Sequence, residues 1–98
     1  MAKGYWINTF RAIHDQDKVA RYAELASTII PDGGGRFLAR GEPYAAFESG
    51  LMQRTVIIEF PSAEQAVRTY ESPAYQEALR VLDDGAERDI RIIEGFAD

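Results

Sequence analysis

At 98 residues, with 46% hydrophobic and 28% charged positions, the chain has the size and composition of one globular domain spanning 1–98. A formal charge of −5, with its basic residues scattered rather than gathered in a stripe, speaks against nucleic acid as a partner. The absence of cysteine excludes a disulfide, a thiolate nucleophile and a zinc–thiolate site, and a single histidine excludes His-rich metal sites.

Gly4 to Ile13 is rich in aromatic and β-branched residues and reads as the first strand. Its parity sets Tyr5, Ile7, Thr9 and Arg11 on one face against Trp6, Asn8, Phe10 and Ala12 on the other. Carboxylates in His14-Asp15-Gln16-Asp17 then cap a helix whose Val19, Tyr22, Ala23, Ala26, Ile29 and Ile30 form one apolar stripe. Pro31 ends that helix and Asp32-Gly33-Gly34-Gly35 makes the turn. The three glycines are not a phosphate loop, because no Lys-Ser/Thr follows and a strand rather than a helix comes next.

Arg36 to Arg40 reads as a short strand, Gly41-Glu42-Pro43 as a turn, and Tyr44 to Glu48 as its hairpin partner. Arg54 to Phe60 is the strongest strand signal. Ser62-Ala63-Glu64-Gln65 directly after it is a helix-start box, the Ser62 hydroxyl capping the Gln65 N–H while the Gln65 amide reaches back. Ser72-Pro73 restarts a helix carrying Tyr75, Ala78, Leu79 and Leu82 on one face. Asp83-Asp84-Gly85 closes it, without the spacing of a calcium loop, and Glu87 to Glu94 is the last strand.

The order β-α-β-β-α-β is the α+β, ferredoxin-like arrangement, in which the helices cover one sheet face and leave the other bare. The all-apolar set Val56, Ile58 and Phe60 belongs under the helices. The mixed sets (Thr55, Ile57, Glu59; Arg36, Leu38, Arg40; Asp89, Arg91, Ile93) then share the bare face. That face is too apolar to sit in water, and a second copy covering it would make a dimeric α/β barrel.

Several blocks together resemble the DUF1330 family. They are Lys3-Gly4-Tyr5-Trp6-Ile7, Gly34 to Gly41, Val56 to Ser62, Tyr70-Glu71-Ser72-Pro73-Ala74-Tyr75-Gln76 and Asp89 to Gly95. The resemblance runs from about Lys3 to Gly95. It implies a homodimeric α/β-barrel protein of ferredoxin-like fold, mostly bacterial, with no established biochemical role and no agreed catalytic set. At the start of the first helix His14-Asp15-Gln16-Asp17 stands where the family usually shows an Asp-Pro pair.

Candidate chemistry rests on six residues. An imidazole suits proton transfer, and His14 is either a general base or an exposed residue beside the helix cap. Arg36, Arg40, Glu59, Asp89 and Arg91 share the mixed face and either clamp an anionic ligand bidentately or pair with one another across strands. Three arginines against two acids leave one cation spare, which hints at an anion. Three readings follow: a homodimer binding a small, anionic organic molecule; a cofactor-free monooxygenase- or isomerase-type enzyme; or an assembly module without a ligand. No motif asks for a cofactor or metal. No stretch approaches the ~20 apolar residues of a membrane span and the first residues lack a signal-peptide run, so a cytoplasmic protein is expected.

Overall fold

Seven elements follow one another in the computed structural model, which describes residues 2–96. They are β1 (Gly4–Ile13), α1 (Gln16–Asp32), β2 (Arg36–Gly41), β3 (Thr55–Phe60), α2 (Ala63–Glu71), α3 (Pro73–Leu82) and β4 (Ala86–Glu94). The strands form one antiparallel sheet in the order β2-β3-β1-β4. The helices lie on one face, as the ferredoxin-like reading requires.

Local chemistry explains the boundaries. The Asp15 carboxylate accepts from the N–H groups of Asp17 and Lys18 and starts α1. That helix runs one residue past Pro31, because the Gly33 N–H still reaches the carbonyls of Ile29 and Ile30. Ser62 caps α2 by accepting from the Gln65 N–H at 3.1 Å. The reciprocal half of the expected box does not form. The Gln65 amide instead donates to the Gly33 carbonyl at 2.7 Å, where Thr69 also reaches, so α2 ties down the end of α1. A Cβ on Gly33 would run into the Thr69 side chain, which is why the turn needs glycine there. Ser72 ends α2 and caps α3 through the Tyr75 N–H.

The expected Tyr44–Glu48 strand is absent from the described residues: β2 pairs directly with β3, and 42–54 is a connection between them. The physical reason is packing. Pairing with β3 places Phe37 beside Ile58 in the core, whereas Tyr44 and Phe47 stay exposed and bury nothing against the sheet.

Two bulges change the parity read from the sequence. In β1 a shift between Phe10 and Ala12 brings Ile13 instead of Ala12 to the helix side. In β2 a shift between Phe37 and Ala39 puts Ala39 opposite Ile57 and Arg40 opposite Val56. Arg40 therefore leaves the bare face and joins the helix face. The core gathers around Trp6, which stacks on Phe60 and meets Tyr75 edge-on at 5.0 Å.

Candidate functional site

Of the six candidate residues, the bare face holds Arg36, Glu59, Asp89 and Arg91, and it holds them paired. Arg36 donates to Glu59 at 3.0 Å, and the Tyr5 hydroxyl donates to the other carboxylate oxygen at 2.9 Å. The Arg36 guanidinium, and then the Tyr5 hydroxyl, hold the Glu59 carboxyl below its usual range. The same hydrogen bond pushes the Tyr5 phenol up. Arg91 lies against Asp89 at 3.3 Å. His14 stands away from both groups, against Glu87 at 2.8 Å on the surface. The spare cation of the sequence count is Arg40, and the bulge has carried it to the other side of the sheet.

There Arg40 borders a cleft between α1 and the sheet. Its guanidinium stacks on the Phe37 ring at 4.4 Å and its best polar partner is the Ser27 hydroxyl at 3.4 Å, a weak contact. The register shows how the cleft is built. Arg40, Val56, Asn8 and Ile90 form one cross-strand row on the helix face, and Phe37, Ile58, Trp6 and Ile92 form another. Arg54 adds a second guanidinium, because its carbonyl accepts from the Phe10 N–H and its side chain falls on the same face. Neither Arg40 nor Arg54 pairs with a carboxylate among the described residues.

The floor carries the strongest chemical signal. Asn8 is 4% exposed and Trp6 1% exposed, both lining the cleft. The Asn8 side-chain oxygen and the Trp6 indole N–H are sealed from solvent and find no hydrogen-bond partner. Buried polar atoms are normally satisfied, and each one left unpaired costs about 1–3 kcal/mol. The unpaired acceptor and the unpaired donor stand on the same face of β1, two residues apart, and make this the candidate site. The free space is about 30 Å³, enough for roughly two water molecules, within about 410 Å³ of void once the open mouth is included.

A third polar group lies beyond the Phe10 and Tyr22 rings. The Arg88 guanidinium donates to the Tyr22 hydroxyl at 2.9 Å and lies 3.4 Å from that of Tyr75, and the two hydroxyls are bonded to each other. Arg88 also sits 4.7 Å from the centre of the Tyr22 ring. Burial, and then the neighbouring Tyr22, push the Tyr75 phenol well above its ordinary value. Neither Arg88 nor the unpaired Asn8 was singled out in the sequence. An Asn at the centre of an aromatic strand, on its apolar parity, was the available signal. Among the described residues no three His, Asp or Glu side chains gather to hold a metal, and no helix is long and apolar enough to cross a membrane.

The comparisons agree with this architecture. The model of a domain of unknown function, DUF1330, matches residues 3–96. No curated protein matches the chain. A protein of unknown function from Rhodopseudomonas palustris superposes with a TM-score of 0.74 at 15% identity, over 99% of this chain and 85% of its own. A dimeric ferredoxin-like protein of unknown function from Jannaschia gives 0.75 at 12% identity, over 94% and 98%. SnoaB, a cofactor-independent oxygenase from Streptomyces nogalater, gives 0.64 at 12% identity, over 93% and 90%. At these identities the likeness is one of fold.

Proposed function

The chain belongs to the DUF1330 family, and on that premise we propose that it is a cytoplasmic homodimer that binds a small organic molecule between α1 and the sheet. The orphaned pair at the cleft floor, the Asn8 oxygen and the Trp6 indole N–H, carries this reading. A ligand supplying one donor and one acceptor there would recover two unmade hydrogen bonds, and the arginines at the mouth suit an anionic end. The homodimer rests on the bare face, where Ile93 is 61% exposed and Leu38 46% exposed, and on the dimeric ferredoxin-like relative.

The enzyme reading has less support. Tyr22 brings a hydroxyl to the border of the cleft, and that hydroxyl is already engaged by Tyr75 and Arg88. The assembly reading describes the bare face well, since its charges are paired, but leaves Asn8 unexplained.

The test uses the single tryptophan. Titration with a panel of small ring and chain acids, alcohols and amides should move the Trp6 indole N–H resonance saturably for at least one compound. A resonance that stays fixed across the panel would remove the binding reading. Ile93→Asp should convert a species of twice the chain mass into one of the chain mass in sedimentation, and a wild type that sediments as a monomer would remove the dimer.

A further inference from the structure

Resting on the homodimer reading, we infer that the connection between β2 and β3, residues 42–54, is an arm that grips the second copy, with Tyr44 and Phe47 as its anchors. Tyr44 is 103% exposed and Phe47 80% exposed, and Leu51 and Met52 on the same segment are exposed as well. Single apolar residues on a surface are ordinary, whereas two aromatics and two further large apolar side chains on one connection make a patch. The segment is also shaped to present them. The Gly50 N–H donates to the Phe47 carbonyl at 2.9 Å, and Glu48 between them adopts a left-handed backbone with φ 55°. A turn that holds a non-glycine residue there accepts strain, yet Phe47 buries little within its own chain in return.

Position selects the occupant. Pro43, Ala45 and Leu51 face Thr9, Arg11 and Thr55 across a groove of about 340 Å³. Thr9 and Thr55 are cross-strand partners whose neighbours Phe10 and Val56 point into the core, so the pair stands on the bare face. The connection is thus a wall at one end of that face. Area shows that a copy seated there needs the wall. The strands have 10, 6, 6 and 9 residues. At a spacing of about 4.8 Å and a rise of about 3.3 Å per residue they make a sheet of roughly 500 Å². A stable interface covers about 800 Å² per partner, and two aromatic side chains of about 150–250 Å² each supply the difference. Charge speaks against a bilayer as the occupant: residues 42–53 hold Glu42 and Glu48 and no Lys or Arg. Glu48 on the arm and Arg11 beside the groove make no ion pair among the described residues. A two-fold interface brings one patch against itself, and a patch with an unpaired charge of each sign suits that arrangement.

Sedimentation of the full chain across a dilution series tests this. Tyr44→Ser combined with Phe47→Ser should raise the dimer dissociation constant at least about tenfold, as the loss of interface aromatic anchors does. The far-ultraviolet circular dichroism should stay the same, because both side chains are exposed within the single chain. If the double variant loses that spectrum, Phe47→Ser alone replaces it and is read against the same constant. Val67→Ser, at an exposed apolar position on the helix side, should leave the constant unchanged. A constant indifferent to the loss of the aromatics, or raised equally by Val67→Ser, would overturn the arm while leaving the homodimer standing. Flotation of the wild type with phosphatidylcholine vesicles, lost in a double variant that still dimerises normally, would give the patch to a membrane and overturn the arm as well. A wild type that stays monomeric throughout the series would remove the homodimer and the arm together.

Discussion

Phe10 has an arginine on either side in the same row of the sheet, and the two sides of that ring differ. Toward β4, Arg88 meets two tyrosine hydroxyls that are also bonded to each other, one from α1 and one from α3. Three elements close a polar network on themselves, and no carboxylate is required. Toward β3, Arg54 borders a cleft whose floor holds two polar atoms that nothing satisfies. Polar groups that hold a fold find partners within it, whereas groups meant for a ligand are left short of them. The contrast separates a closed polar node from the candidate site within one layer of side chains.

Breaking the node should have the largest effect. Tyr75 is fully buried and touches Trp6, Tyr22 and Tyr70. Tyr75→Ala removes that packing, opens a cavity and strips Arg88 of one acceptor, so it should cost about 3–5 kcal/mol in denaturant unfolding. A loss below about 1 kcal/mol would mean that α3 is not anchored through this ring.

A matched pair of smaller changes sharpens the comparison. Tyr75→Phe removes a satisfied hydroxyl and should lower stability by about 1–2 kcal/mol. Asn8→Leu removes an unsatisfied amide of similar volume, and should be neutral or raise stability by about 1 kcal/mol. If Asn8→Leu instead destabilised the chain as much as Tyr75→Phe, Asn8 would be a structural residue and the two sides of Phe10 would be alike. Ser62→Ala, a cap outside both regions, gives the reference scale: about 1 kcal/mol, read from the denaturant midpoint.

The fold was legible because its signals are local. The Ser62 cap, the Ser72-Pro73 restart and the Val56, Ile58, Phe60 alternation each announce their element from a few residues. The candidate site was legible only in part, because it depends on register. Strict alternation puts Arg36 and Arg40 on one face, and a single bulged residue near Leu38 separates them. Nothing in the composition of RFLAR marks that bulge. The sequence count put a spare cation on the bare face, whereas that face holds two arginines against two acids and Arg40 lies on the other side. The Tyr22–Tyr75–Arg88 node joins three elements far apart in the chain, so no spacing rule reveals it.

The smallest expected effect belongs to the bare face, where a third comparison is available. Glu59 is held by Arg36 and Tyr5, and its carboxyl is acidified by those two hydrogen bonds, the Arg36 bond first. A carboxyl more acidic in the folded than in the unfolded chain binds fewer protons when folded, so folding is favoured while it is ionised. That contribution is fully present above the unfolded carboxylate range, near pH 4–5, and is lost as pH falls through the lowered folded value. The melting temperature should therefore drop on acidification below about pH 5, and Glu59→Gln should show a shallower drop. Because other carboxylates also titrate there, the difference between the two curves is the readout rather than either slope. Arg36 is exposed, so salt should shrink that difference. Superimposable curves would show that the pair merely neutralises charge on the bare face and contributes nothing to folding.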